Sequence, residues 1–326
     1  PTTETYTLSL HDALPIFWQT TNTGDLHNPE MWGKVIFSDM TAGSAKDNEL
    51  ERAFPILAPP LKPKKLPKDM VYFPPATVTI GPDPSDPKRS PVHTETVPGF
   101  LMDRCEVTVA EFAAFLNGGD RDRFYDPWMR VPEHCGIVRD GPGRYRVVPG
   151  RENYPVVYVS CDAAVAYAAS VGKTLPTEAM WERAARGTAG RPWPWGNEPL
   201  SPARANYDFH YGGTTPVGSF PSGATPEGVY DLCGNVKEWC VGEYRSYPGG
   251  EPMVYPGQRE PFIYEPFVMK AIARGGAWTK QEACMPPSYR DTHGSLNMGF
   301  RCVKVDDGAN KKETIIHPIP LDCTTQ

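Results

Sequence analysis

Apolar residues recur with the period of an amphipathic helix just after Thr108. Thr108 and Glu111 have the spacing of a capping box, in which two side chains satisfy amide groups at a helix N-terminus. The apolar residues that follow share one face of a helix. They are Val109, Phe112, Ala113 and Leu116. The pattern predicts a helix that begins at this point.

Two further helices are predicted from their start and stop signals. One begins near Ser160, runs through Ala163–Ser170 and ends before Gly172, since glycine often terminates a helix. The other begins after Thr177, which can act as the N-cap, and is closed by Gly187. We expect no further helix beyond Trp193.

The remaining pattern is that of short strands separated by turns. Met70–Phe73 and Thr77–Gly81 are apolar or β-branched runs ended by Pro or Gly. The last such run is Asn297–Val303. With 37 prolines and 30 glycines, long helices are excluded and many turns are expected. The 36 aromatic residues given by 13 Phe, 15 Tyr and 8 Trp must then supply much of the core.

Charge and hydropathy narrow the choice of partners. The net charge is −6, and no basic cluster is dense enough to neutralise phosphates, so we expect no nucleic-acid partner. No run of about 18 apolar residues is present, so we expect no membrane span. None of the eight cysteines forms a Cys-x-x-Cys pair. Disulfides and reduced thiols both remain open, and so does the compartment.

The composition changes along the chain and divides it into four parts. Residues 1–16 are typical of a translated adaptor sequence and are expected to be a non-native leader, with an upstream domain lost. Residues 17–65 are an unassigned segment that ends in a proline-rich linker. Residues 66–305 are expected to form one domain, and 306–326 a C-terminal tail.

Eight blocks of this domain resemble, in order, the formylglycine-generating-enzyme (sulfatase-modifying-factor) family. They are Met70–Pro74, Met102–Thr108, Tyr154–Ser160, Gly172–Gly187, Trp195–Asn197, Tyr230–Trp239, Arg274–Trp278 and Gly299–Arg301. The resemblance implies an α+β, irregular C-type-lectin-like fold, rich in loops, with about three helices and short antiparallel strands. The family includes copper-dependent oxidation of a sulfatase cysteine, iron-dependent sulfoxide synthesis and modules without assigned chemistry, so it leaves the function open.

The resemblance also implies two calcium sites. The matching positions are Asp231, Gly234, Val236 and Glu238 for the first, and Asn206 with Tyr207 for the second. Calcium takes six to eight oxygen ligands, which carboxylates and carbonyls on a tight loop can supply. The alternative is a simple Gly-Asn turn, with Glu238 paired to an arginine and Trp239 in the core.

The segment after Gly275-Gly276 bears on catalysis. Copper(I) needs two soft thiolates, which catalytic relatives supply from a Cys-His-x-Ser-Tyr-Cys segment. Here Lys280 stands in place of the first cysteine and Cys284 is alone. The seven histidines form no His-x-x-x-His pair that would suggest iron. If the chain is catalytic with copper or iron, the candidate residues are Cys284, Tyr289 and Asp291.

Three further interpretations concern one lysine and two pairs of residues. Lys237 replaces a tryptophan that is usual in catalytic relatives, and an exposed lysine on a turn is the simpler interpretation. Glu182 and Arg186 have the spacing of an ion pair on a helix and are interpreted as structural. Cys105 and Cys302 are expected to be neighbours, as a disulfide or as two buried thiols.

The sequence therefore leaves two functions from different classes. The first is a binding or regulatory module that lacks the copper cysteine pair, and its partner is a protein, a peptide or a small thiol ligand. The alternative is a metal-dependent oxidoreductase, of the formylglycine-generating or sulfoxide-synthase type, that acts on a cysteine or thiol substrate.

Overall fold

The computed structural model describes residues 66–82, 87–88, 90–125, 135–251, 271–282, 285–291 and 297–305. All of them belong to one unit of the chain, Pro59–Gln326. The expected leader, linker and C-terminal tail lie outside the described residues, and so does Cys284. The division of the chain into four parts stays a prediction.

The described residues contain three α-helices, as expected. They are α1 (Val109–Leu116), α2 (Cys161–Ser170) and α3 (Glu178–Arg186). Each begins where a side chain accepts a hydrogen bond from an unpaired backbone amide. Thr108 forms the complete capping box with Glu111, and Ser160 and Thr177 each accept a hydrogen bond from one amide. Helix α2 begins at Cys161, next to the predicted start near Ser160, and Ser160 Oγ accepts from the amide of Ala163 at 3.2 Å. Local capping chemistry thus fixes the start of every helix.

Ten short strands accompany the helices. They are β1 (Met70–Phe73), β2 (Ala76–Ile80), β3 (His93–Val97), β4 (Phe100–Asp103), β5 (Ile137–Arg139), β6 (Tyr145–Val147), β7 (Lys237–Glu243), β8 (Ala271–Arg274), β9 (Met298–Gly299) and β10 (Val303–Val305). Two hairpin-like pairs, β2–β3 and β5–β6, stand beside two three-stranded sheets. The architecture is loop-rich α+β, which confirms the fold class.

The first three-stranded sheet joins the two ends of the described region. Strand β4 lies in the middle and pairs antiparallel with β1 on one side and β10 on the other. The second has the order β8-β7-β9, with β8 antiparallel and β9 parallel to β7. The central strand β7 is therefore covered at both edges.

Strand β7 also lies between the two main apolar clusters. Trp239 packs with the cluster that contains α1, α2 and Phe300, and the next residue, Cys240, packs with the cluster around Trp181 and Phe100. Successive side chains of a strand point to opposite faces. The first part of β7, residues 237–240, is therefore buried on both faces, whereas Val241 is exposed.

Helix α3 is structural, as the sequence indicated. Trp181 is fully buried, and its indole Nε1 donates to Glu238 Oε2 at 2.8 Å. Glu182 Oε1 accepts from Arg186 at 2.6 Å and from the amide of Gly81 at 2.9 Å. Its other oxygen accepts from Arg274. The six described cysteines are free thiols, so Cys105 and Cys302 form no disulfide; Cys302 is buried and Cys105 is half-buried.

No helix of the described part of the chain is long and apolar enough to cross a membrane.

Candidate functional site

The Gly234-Asn235 turn brings three distant segments together. Both residues have left-handed backbone conformations, with φ of 91° and 60°, which glycine and asparagine tolerate better than other residues. The amide of Gly234 donates to the carbonyl of Gly275 at 2.7 Å, and that of Asn235 donates to the carbonyl of Asn206 at 2.8 Å. The turn thereby joins the Asn206 loop, the start of β7 and the Gly-Gly segment.

Glu238 is engaged by an arginine, as the alternative interpretation proposed. Arg301 donates to both carboxylate oxygens at 2.7 Å, and Trp181 donates to one of them at 2.8 Å. Arg301 and Glu238 are fully buried. A calcium ion bound by Glu238 would have to displace Arg301, so the present arrangement does not fit an ion at this carboxylate. The first calcium site remains a prediction without a free carboxylate from Glu238.

Asp231, another residue of that predicted site, lies in a buried acidic pair with Glu106. Asp231 Oδ2 accepts from the amide of Gly218 at 2.6 Å, and Glu106 Oε1 accepts from Asn235 Nδ2 at 3.1 Å. Burial raises the pKa of both carboxyl groups, and the charge of Asp231 raises the pKa of Glu106 further. The folded protein therefore retains a proton on this pair at a pH where exposed carboxyls are ionised. The sequence analysis missed Glu106, which lies beside the helix cap.

The predicted carbonyl ligand of Asn206 already accepts from the amide of Asn235, but its side chain has an unused oxygen. Its Nδ2 donates to the carbonyl of Gly213 at 2.8 Å, whereas its Oδ1 is buried and has no hydrogen-bond partner among the described residues. The carbonyl of Tyr207 already accepts from the amide of His210. An orphaned amide oxygen suits an oxygen-seeking cation or a water molecule. Within the described residues no group of three or more His, Cys, Asp and Glu side chains is arranged to hold a metal.

Lys237 is buried on β7 and does not occupy an exposed turn. Its Nζ lies 2.6 Å from Asp291 Oδ2, and the two side chains are only 2% and 6% exposed. Burial lowers the pKa of Lys237, while the carboxylate of Asp291 opposes the shift. The expectation of an exposed lysine is wrong because the Lys237 side chain packs against Asp291 from a distant segment, which the sequence around Lys237 does not reveal.

Asp291 is held in place by backbone pairing with β8. Its amide donates to the carbonyl of Ala273 at 3.0 Å, and the amide of Ala273 donates to the carbonyl of Asp291 at 2.8 Å. The ammonium group of Lys280 lies 3.5 Å from Asp291 Oδ2 on the solvent side. Lys237 and Lys280 thus approach the same oxygen of Asp291, and we call these three residues the lysine–aspartate cluster.

The three catalytic candidates have different outcomes. Asp291 belongs to the lysine–aspartate cluster. Tyr289 is half-buried, and its carbonyl accepts from Arg274 Nη1 at 3.2 Å. Cys284 lies outside the described residues. Their assignment as catalytic residues stays a prediction.

Comparison with known families shows which family the fold belongs to. The profile of the family described as "Sulfatase-modifying factor enzyme 1-like domain" matches residues 58–305. This match covers most of the chain. The chain belongs to the formylglycine-generating-enzyme (sulfatase-modifying-factor) family.

Similar proteins within this family have different names. The chain is 34% identical over 251 residues to "Serine/threonine-protein kinase Pkn1" of Chlamydia trachomatis, covering 75% of this chain and 39% of that protein. It is 34% identical over 220 residues to "Hercynine oxygenase" of Mycolicibacterium smegmatis, covering 62% and 51%. It is 36% identical over 229 residues to "Formylglycine-generating enzyme" of Thermomonospora curvata, covering 56% and 74%. The chain thus spans about half or less of the first two relatives.

Among solved structures, the fold is similar to that of PvdO from Pseudomonas aeruginosa. The TM-score is 0.53 at 25% identity, and the match covers 75% of this chain and 99% of PvdO.

Proposed function

We propose that the chain is a binding or regulatory module of the sulfatase-modifying-factor family that lacks the copper cysteine pair, with Lys280 in place of the first cysteine. One observation carries the proposal. Lys280, which stands where catalytic relatives have their first copper cysteine, is paired with the buried Asp291, and Asp291 is paired with Lys237.

The physical argument is one of charge and ligand type. Copper(I) prefers soft sulfur ligands, and Lys280 supplies an ammonium group that has no lone pair to donate. Lys237 adds a second ammonium within the same cluster. Two cations repel a metal ion, and both lie near the same carboxylate oxygen, Asp291 Oδ2. This arrangement favours recognition of a ligand over binding of a redox metal.

The alternative function is metal-dependent oxidation of a cysteine or thiol substrate. The similarity to proteins named hercynine oxygenase and formylglycine-generating enzyme supports it. In that case a bound copper or iron ion would supply the oxygen chemistry. Asp291 would then be the acid or base beside the substrate, and Lys237 would position it.

Metal analysis combined with oxygen uptake separates the two functions. The purified protein, as isolated and after incubation with copper(I) or iron(II), is assayed for bound metal. Oxygen consumption is then followed with a cysteine-containing peptide and with a small thiol. We expect substoichiometric metal and no consumption above that of the buffer with metal alone. Stoichiometric copper or iron with turnover, reduced in Asp291→Asn, would replace the proposal by the alternative.

We also propose that a calcium ion binds at the Asn206–Tyr207 loop, supported by the orphaned Asn206 Oδ1. A ligand that binds only the folded state raises the melting temperature. Calcium chloride at 1 mM or so should therefore raise it relative to EDTA, with a smaller effect of magnesium, which demands a stricter octahedral geometry. Identical melting curves in calcium and EDTA would remove the proposal.

A further inference from the structure

The turn from Ala277 to Lys280 carries an aromatic side chain, Trp278, and an ammonium group, Lys280. The amide of Lys280 donates to the carbonyl of Ala277 at 2.9 Å and closes the turn. The indole of Trp278 donates to Asn297 Oδ1 at 2.9 Å, and its backbone amide donates to the carbonyl of Asn235 at 3.0 Å. Trp278 is half-buried, so one part of a firmly held ring faces solvent.

Phe209 extends this aromatic surface, and its backbone is held there in an unfavourable conformation. Phe209 is 58% exposed. Its ring meets the ring of Trp278 edge-on, with 5.3 Å between the ring centroids. Asp208 and Phe209 have φ values of 48° and 58°, a conformation that costs about 1–2 kcal/mol for each residue that is not glycine. Two hydrogen bonds impose it, from the amide of Asp208 to the carbonyl of Lys280 and from that of Phe209 to the carbonyl of Trp278.

A large ring held in water by a strained backbone is unfavourable for folding alone. Such strain persists where the surrounding structure over-determines it, and it concentrates at sites that bind ligands. The two hydrogen bonds tie the Phe209 loop to the Trp278 turn, so the strained backbone holds both rings on segments that border Lys280. The geometry points to an aromatic platform beside a positive charge.

Lys280 provides the charge that the platform needs for recognition. Its side chain is 31% exposed, and its ammonium lies 3.5 Å from Asp291, beyond the range of about 2.7–3.2 Å for a good hydrogen bond. Lys237 holds Asp291 at the shorter distance of 2.6 Å. The ammonium of Lys280 can therefore turn its N–H groups toward a carboxylate that arrives from solvent.

We infer that Phe209, Trp278 and Lys280 form a binding site for a peptide in which a carboxylate side chain follows an aromatic residue. This inference rests on the proposed binding function and specifies its ligand. The peptide ring packs on Trp278 and Phe209, and its carboxylate pairs with Lys280. Charge complementarity selects an acidic over a neutral partner, and the rigid platform lowers the entropy lost on binding.

Three short peptides test the inference. They are the N-acetylated amides of phenylalanyl-glutamate, phenylalanyl-glutamine and alanyl-glutamate. Each is titrated into the isotope-labelled full chain, and the indole N–H signal of Trp278, assigned from Trp278→Phe, is followed by NMR. We expect phenylalanyl-glutamate to bind about fivefold more tightly than the glutamine peptide, the size of one partly exposed ion pair. The alanine peptide should bind more weakly than both.

Two matched variants separate recognition by Lys280 from a general charge effect. Lys280→Gln should remove the preference for glutamate over glutamine. Lys304→Gln, an exposed lysine on β10, should keep it. Equal affinity for the two phenylalanine peptides, no shift of Trp278, or an unchanged preference in Lys280→Gln would each overturn the inference. Failure of the proposed function shows instead as metal-dependent oxygen uptake, which these titrations do not measure.

Discussion

The ion pair of Lys237 with Asp291 is almost completely removed from water. Its two partners differ in the other charges that lie near them. Breaking a buried pair costs several kcal/mol because it leaves a charge without its partner. Asp291, however, has a second ammonium nearby, from Lys280 at 3.5 Å. Loss of the lysine and loss of the aspartate should therefore have different consequences.

We predict that Asp291→Asn lowers the free energy of unfolding by about 3 kcal/mol, because the ammonium of Lys237 loses the carboxylate it contacts at 2.6 Å. Lys237→Met should cost less than about 1.5 kcal/mol, since its side chain is similar in length and Lys280 remains near Asp291. Urea denaturation of both variants measures the difference. A larger loss in Lys237→Met than in Asp291→Asn would contradict this account of the cluster.

The acidic pair of Glu106 and Asp231 makes a prediction about pH. The folded protein binds a proton on this pair, whereas the unfolded chain releases it above the ordinary carboxyl pKa of about 4. The free energy of unfolding should thus fall as the pH rises from there through the raised pKa values. Glu106→Gln should flatten this slope and gain about 1 kcal/mol at pH 8, because its amide can donate to Asp231 without carrying a charge.

Urea denaturation between pH 5 and pH 8 checks the slope. Glu152→Gln, which changes an exposed carboxylate, serves as the control and should follow the wild-type curve. If Glu106→Gln keeps the wild-type slope, the retained proton is not on this pair.

At the scale of elements, the helices could be predicted because their signals are local. Thr108, Ser160 and Thr177 lie within four residues of the amides that they cap, so the sequence alone reveals the pairing. The burial of Lys237 could not be predicted in this way. It depends on β8 and β9 at the edges of β7, and on Asp291 from a distant part of the chain. Electrostatic sites assembled from several loops are hidden from local patterns.

The Gly234-Asn235 turn supplies an element-scale prediction with an internal control. A Cβ on Gly234 would lie 2.3 Å from the carbonyl oxygen of Asn206, and its φ of 91° is unfavourable for alanine. Gly234→Ala should therefore cost about 2 kcal/mol or more. Gly213→Ala, where no atom lies within 4 Å of the new Cβ, should be nearly neutral. Thermal unfolding of the two variants tests this prediction. Equal melting temperatures would show that the turn can move enough to accommodate the Cβ.

At the scale of the whole molecule, the sequence identified the family more securely than the activity. The blocks that carry the resemblance are largely structural: Trp181, Glu238 and Arg301 form one buried network, and Gly234 and Gly275 join two segments. Such residues maintain the scaffold whatever chemistry the loops perform. The differences that bear on function, Lys237 and Lys280, lie outside this network. The same reasoning explains why relatives of similar identity have different names.

The domain boundary expected at residue 305 can be tested through the strand that ends there. Val303 is fully buried, and its amide and carbonyl exchange hydrogen bonds of 2.7 and 2.8 Å with Thr174. It also pairs with Met102 on β4, so β10 joins the end of the domain to its beginning.

We predict that a chain ending at Val305 keeps the melting temperature of the full chain. A chain ending at Cys302 should lose about 2–3 kcal/mol from Val303 burial and about 1 kcal/mol for each hydrogen bond. For a domain of this size that loss lowers the melting temperature by about 5 °C or more. Equal stability of the two truncated chains would mean that β10 is dispensable and that the domain ends earlier. A loss already present in the longer one would place part of the domain beyond residue 305.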